Sequence, residues 1–211
     1  MCHLDVAIPE VKKLFEINVW SVITTTQAFL PLLLRSQPGG WIVNNTSTIG
    51  VFGVPLNGPY CASKAAIAMF TECMRFELQP FGIKVVDLKT GAVRSHFFDN
   101  LREEGQSNAL PSQSIYRIDK DAIEEKMRDG FVQVGFMDAN VWARQVVKDL
   151  SRSSPPAQIW RGTSAWLLWL ATYLPHGFLN STMKKMTGLD IVERKIRDQG
   201  KESVLSKLGF T

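Results

Sequence analysis

Gly40-Trp41-Ile42-Val43-Asn44-Asn45-Thr46-Ser47 is a short apolar run ending in polar residues, the pattern of a buried strand that emerges at a site. Gly50, Gly53, Pro55, Asn57, Gly58 and Pro59 then mark a loop. A helix is predicted from about Tyr60 to Gln79, with Ala65, Ala66, Ala68, Met69, Met74 and Leu78 along it; Pro80 and Gly82 end it. Ile83-Lys84-Val85-Val86-Asp87-Leu88 reads as a second strand, closed by Thr90-Gly91. Strand, helix, strand is a right-handed βαβ unit with parallel strands. Ligands of such sheets bind beyond the carboxyl ends of the strands. Ser47, Thr90-Gly91-Ala92-Val93 and the start of the Tyr60 helix all fall there.

Within that helix, Tyr60 and Lys64 stand four residues apart, so the hydroxyl and the ammonium share a face. A free phenol has a pKa near 10, about three units too high for proton transfer at neutral pH. Closing that gap takes about 4 kcal/mol of preferential stabilisation of the phenolate. A neighbouring ammonium shielded from water is the right kind of group to supply it. Ser47, thirteen residues before the tyrosine, would hold the oxygen whose charge changes. The arrangement suits alcohol–carbonyl redox chemistry. Tyr116 and Lys120 share the same spacing, but they follow a polar stretch and have Glu103 in place of the hydroxyl. They are read as a surface tyrosine beside a solvated lysine.

Four elements in order carry a resemblance to the short-chain dehydrogenase/reductase family: Asn18-Val19, Asn44-Asn45-Thr46-Ser47, Tyr60-x-x-x-Lys64 and Thr90-Gly91-Ala92-Val93-Arg94-Ser95. The likeness runs from about Leu4 to about Gly162. The wording from Phe76 to Val93 is most similar to the fungal branch that contains the 1-acyldihydroxyacetone-phosphate reductases. The resemblance implies an oxidoreductase that interconverts a hydrophobic ketone and its secondary alcohol, with NADP chosen over NAD on the branch alone. It implies Tyr60 as general acid/base and Ser47 as the group that polarises the carbonyl. Lys64 would lower the pKa of Tyr60 and bind the nicotinamide ribose. Asn18 would hold a water relaying protons to Lys64. Val93 would meet the carboxamide through its backbone, and Ser95 would assist. The cofactor-binding set is thus Asn18, Tyr60, Lys64, Val93 and Ser95.

Two departures stand against the family pattern. Thr90 occupies a position where proline is usual, and proline would fix φ before the glycine. More consequentially, a dinucleotide needs a glycine-rich turn at a helix start for its pyrophosphate, and no Gly-x-x-x-Gly-x-Gly occurs among the fifteen glycines. The implied fold is therefore α/β: a partial doubly wound Rossmann-type parallel sheet lacking its first strands, with helices on both faces. Only Trp41 to Asn45, Ile83 to Leu88 and Gln158 to Arg161 are strand candidates. The first of these would present an open apolar edge. The expectation is a truncated product, with residues 1–162 as the catalytic core and 163–211 as a C-terminal apolar helix and tail of the same domain.

Composition fits one globular domain: 211 residues, 45% hydrophobic, 21% charged, net charge +4. The basic residues are dispersed without an aromatic-interleaved stripe, which argues against nucleic-acid binding. Cys2, Cys61 and Cys73 show no metal spacing and suggest free thiols in a reducing, cytoplasmic setting. His3, His96 and His176 are scattered, so no metal is expected. Met1 to Lys13 lacks the apolar core of a secretory signal.

Pro9 to Leu34 reads as a helix with Val11, Leu14, Phe15, Val22 and Phe29 on its apolar side. A loop at about 96–118 follows Ser95; Phe97, Phe98 and Leu101 would line the substrate side, or the stretch is a disordered surface loop. Asp119 to Phe131 resembles a charged helix, and Ala139 to Ser151 an amphipathic one. Trp160, Trp166, Leu167, Leu168, Trp169, Leu170, Tyr173 and Leu174 form an aromatic stretch flanked by Arg161, Lys184 and Lys185. Ala165 to Leu174 is too short to span a bilayer, which needs about 20 residues. Its tryptophans and cations suit a membrane surface at 163–186, such as the endoplasmic reticulum or a lipid droplet, or else a helix on the substrate pocket or a partner copy in a homo-oligomer. Two functions stay open: the oxidoreductase, and a non-catalytic remnant acting through partner or membrane contacts.

Overall fold

A computed structural model describes residues 5–37, 39–95, 109–129 and 135–209. Three parallel strands form the sheet in the order β1-β2-β3: β1 (Trp41–Asn45), β2 (Lys84–Thr90) and β3 (Gln158–Arg161). The register sets Ile42 beside Val85 and Leu88 beside Ile159. These are the three segments whose apolar runs marked them as strands, and the fold is α/β as expected.

The first long helix begins as α1 (Ile8–Phe15), passes through a π turn at Glu16–Trp20 and continues as α2 (Ser21–Arg35). Its length and a mean hydropathy of 1.4 would suffice for a membrane span. It touches the rest of the protein through buried Val19 and through Leu30 and Leu33 on the sheet, while Ile8, Ile17, Trp20, Phe29, Leu32 and Leu34 are exposed. The βαβ helix, α3 (Gly58–Leu78), starts with Pro59 in its first turn, and its exit turn closes on Gly82 in the left-handed region (φ 72°).

Leu30 and Leu33 of α2, with Met74 and Leu78 of α3, cover Ile42, Ile83 and Val85 on one face of the sheet. On the other face, Trp142, Val146 and Leu150 of α5 (Ala139–Leu150) cover Val86, Leu88 and Ile159. Each such fully buried aliphatic side chain contributes about 1.5–3 kcal/mol. A separate cluster joins Ile123 of α4 (Lys120–Asp129) to Leu56 and Leu110.

Two expectations need correction. Tyr116 is half-buried rather than a free surface tyrosine: it packs against that Leu56–Leu110–Ile123 cluster, while Lys120 reaches Glu124 at 3.9 Å. The C-terminal portion is more than one apolar helix and a tail. After α6 (Ala165–Ala171) come α7 (Asn180–Thr187), α8 (Leu189–Gln199) and α9 (Lys201–Lys207), with Leu189 and Val192 packed onto the same cluster as Tyr116. The predicted substrate-side residues Phe97, Phe98 and Leu101 lie outside the described residues, as do Cys2, His3 and His96.

Candidate active site

Three backbone ends converge at the carboxyl edge of the sheet. Ser47 follows β1 in extended conformation (φ −157°, ψ 151°) and caps a short turn at Thr48–Gly50, its Oγ accepting from the Ile49 amide at 3.2 Å. The same hydroxyl donates to the Thr90 carbonyl at 3.3 Å, which ties the ends of β1 and β2 together. Thr90, where proline was the family expectation, adds a second tie: its hydroxyl donates to Asn45 Oδ1 at 2.6 Å. The threonine therefore stiffens by hydrogen bonding the turn that a proline would stiffen through φ.

From the first turn of α3, Tyr60 points back at Ser47, and the two side chains are hydrogen-bonded. Lys64 Nζ sits 5.9 Å from the Tyr60 ring centroid and donates to the Asn45 carbonyl at 3.2 Å. Tyr60, Lys64 and Ser47 are thus brought together, as the spacing predicted. Burial pushes the Tyr60 phenol above its ordinary range; the hydrogen bond with Ser47 opposes that and the adjacent Cys61 adds to it. Burial likewise lowers the Lys64 ammonium. The phenol therefore stands above its ordinary value, with burial setting the direction.

Asn18 is tied to α3 through a serine. Its Nδ2 donates to Ser63 Oγ at 3.0 Å, and Ser63 Oγ donates to the Tyr60 carbonyl at 2.8 Å. The side chain clamps the π turn of the first helix onto the second turn of α3. π turns recur at functional sites, but no residue between Glu16 and Trp20 announces one.

Val93 pairs with Met137 in a parallel bridge that uses the Ala92 carbonyl (from Met137 N, 3.2 Å) and the Arg94 amide (to Met137 O, 2.9 Å). In such a bridge the central residue's own N–H and C=O point the other way. They are therefore directed away from Met137. Ser95 is exposed at the end of this segment.

Sequence reasoning missed several supports. Asp87 and Lys89 of β2 are buried and form an ion pair at 2.6 Å, and Thr46 donates to Asp87. Thr46 is the residue before Ser47, so this pair anchors the strand end that carries the hydroxyl. Alternating charge in a short strand reads as an exposed face, which hid it. Leu56 holds φ 63° while its side chain is buried, four residues before Tyr60. Nothing in the sequence signals that strain. Among the described residues no group of acidic, histidine and cysteine side chains could hold a metal.

The residues present fit the nicotinamide end of a dinucleotide: a phenol, an ammonium and an outward-facing backbone on one rim. A glycine-rich turn for the pyrophosphate does not occur in the sequence.

Residues 3–106 match the family model described as short chain dehydrogenase. A short-chain dehydrogenase/reductase of Pestalotiopsis microspora is 47% identical over 194 residues, 92% of this chain and 66% of that protein. The NADPH-dependent 1-acyldihydroxyacetone phosphate reductase of Saccharomyces cerevisiae is 28% identical over 200 residues, 94% of this chain and 64% of that protein. A crystal structure of a short-chain dehydrogenase from Streptomyces avermitilis superposes with a TM-score of 0.63 at 26% identity, covering 92% of this chain and 65% of that one. The chain spans about two-thirds of the length of these relatives. Sequence, sheet topology and the strand-end constellation agree: the chain belongs to the short-chain dehydrogenase/reductase family, whose members use a nicotinamide cofactor.

Proposed function

We propose that this chain carries the catalytic half of an NADP-dependent oxidoreductase that interconverts a hydrophobic ketone and its secondary alcohol. The observation that carries the reading is the meeting of the Tyr60 and Ser47 side chains at the strand ends, with Lys64 beside the phenol ring. Two hydroxyls that touch can both reach one carbonyl oxygen. Ser47 donates to that oxygen and draws charge onto it. Tyr60 donates its proton as the alkoxide develops, and regains it from solvent. Lys64 stabilises the phenolate for the interval in which the proton is gone. Asn18 and Ser63 keep the start of α3 in register with the strand ends. The Val93 backbone and the Lys64 ammonium would hold the nicotinamide and its ribose. When bound, that cofactor supplies the hydride to the carbonyl carbon.

NADP over NAD, and a lipid-like substrate, are supported by the yeast relative's NADPH-dependent action on an acyl dihydroxyacetone phosphate. A cytoplasmic enzyme at a lipid surface accords with both.

Turnover of an apolar ketone with NADPH by the purified chain is the test. Tyr60→Phe should lower kcat about 10²–10⁴-fold, the usual contribution of a positioned acid. Unchanged turnover would remove Tyr60 from the chemistry. The second reading, a non-catalytic remnant acting through contacts, is favoured by the partly exposed apolar side chains of Trp41 and Val43 on β1. A folded chain with no NADPH-dependent turnover on any ketone would select it.

A further inference from the structure

We propose that α6 and the turn after it dock on the surface of an anionic phospholipid bilayer. This segment turns its large side chains outward. Trp166, Leu167, Trp169, Leu170, Tyr173 and Leu174 are all exposed, Trp166 at 68% and Tyr173 at 72%, and Phe178 follows at 65%. Their spacing (i, i+1, i+3, i+4, i+7, i+8) is that of one helical face. The opposite face is Ala165, Leu168 and Ala171, with Ala165 exposed by only 1%. Small residues therefore hold the helix to the protein while the aromatic ones look out, the reverse of the ordinary soluble arrangement. Trp169 and Tyr173 stack edge to face at 5.5 Å, so the patch is pre-formed.

Charge selects the occupant. From Gly162 to Leu189 there is no acidic residue. Lys184 and Lys185 end α7; Lys184 pairs with Glu193, and Lys185 is exposed. An apolar aromatic face, followed along the chain by Lys184 and the exposed Lys185 with no acidic residue between Gly162 and Leu189, complements the acyl boundary and anionic headgroups of a bilayer. At seven residues, α6 lies on such a surface and cannot cross it.

The placement is fixed by the fold. Gly91 and Gly162 approach so closely that a Cβ on Gly91 would stand 2.4 Å from the Thr163 carbonyl, and the Thr163 amide donates to Ala92 at 3.0 Å. α6 also packs on the Thr48–Gly50 turn. The apolar face is thereby welded to the rim that carries Ser47, where a substrate dissolved in the bilayer would enter.

Co-sedimentation of the full chain with phosphatidylcholine vesicles, with and without phosphatidylserine, tests this. Binding is expected to the serine-containing vesicles and to weaken as salt rises. The Trp166→Ser/Trp169→Ser double variant should bind about tenfold more weakly with unchanged thermal unfolding, since both side chains are exposed. Lys185→Glu should lose at least about fivefold, the worth of one basic residue near the surface. Equal binding to pure phosphatidylcholine, or full binding by the tryptophan variant, overturns the proposal. So does a wild-type dimer that ignores vesicles and becomes a monomer in that variant, which assigns the face to a second copy. Vesicle binding is measured without turnover and stands or falls apart from the redox reading.

Discussion

On the proposed reading Tyr60 gives up and regains a proton, yet burial holds its phenol above the ordinary value near 10. Lys64, itself lowered by burial, sits near enough to answer the charge when the proton leaves. This has a consequence for stability. A folded-state pKa raised above the unfolded one means the folded chain binds that proton more tightly. The contribution is fully present below about pH 10 and is lost as pH rises through the folded value. Urea melts of wild type and Tyr60→Phe at about pH 8 and about pH 11 should show the wild type losing more stability between the two. Parallel losses would mean that Tyr60 titrates as a solvent-exposed phenol.

At the level of elements, β2 does more than its apolar run announces. Val86 and Leu88 fill one face, as the pattern of a buried strand foretells, while Asp87 and Lys89 are buried as a pair on the other. Removing one partner leaves an unpaired buried charge, so Asp87→Ala should cost about 3–5 kcal/mol by chemical denaturation. Asp87→Leu/Lys89→Met should cost far less, because both charges go together. Equal losses would show that the pair is replaceable packing rather than coupled charge. A second element-level prediction concerns the close approach of Gly91 to Gly162, which has φ 108°. A methyl at Gly91 would meet backbone at 2.4 Å, so Gly91→Ala should cost about 2 kcal/mol or more in the same assay.

The same elements show what could be read in advance. The strands were legible because Ile42, Val85 and Ile159 sit in short apolar runs, and α3 was bounded by proline and glycine stops. Tyr60, Lys64 and Ser47 were legible because spacing on a helix and position at a strand end are local facts. The Asn18–Ser63 clamp, the Thr90–Asn45 bond and the packing of Tyr116 against Leu56 and Ile123 were not, because each joins residues far apart in sequence. The helices after Leu174 escaped notice because their charged faces conceal the few residues, such as Leu189 and Val192, that fasten them.

Taken whole, the proposed reading has the molecule hold one end of a cofactor better than the other. The nicotinamide side has Tyr60, Lys64 and the Val93 backbone at the rim. The phosphate side would need backbone amides at a glycine-rich turn, which this sequence does not contain. Beyond β1, the outer strand of the described sheet, Trp41 and Val43 stay 38% and 37% exposed where a further layer could pack. If affinity resides in the nicotinamide end alone, the adenosine half of NADPH adds little. NADPH and reduced nicotinamide mononucleotide should then bind this chain within about tenfold of each other, a difference below about 1.4 kcal/mol. Adenosine bisphosphate should fail to displace either, as followed by fluorescence of the reduced nicotinamide. A preference for NADPH of about a hundredfold or more, abolished by adenosine bisphosphate, would mean that the chain grips the pyrophosphate by some means other than a glycine-rich turn. The division of labour between the two ends would then have to be redrawn.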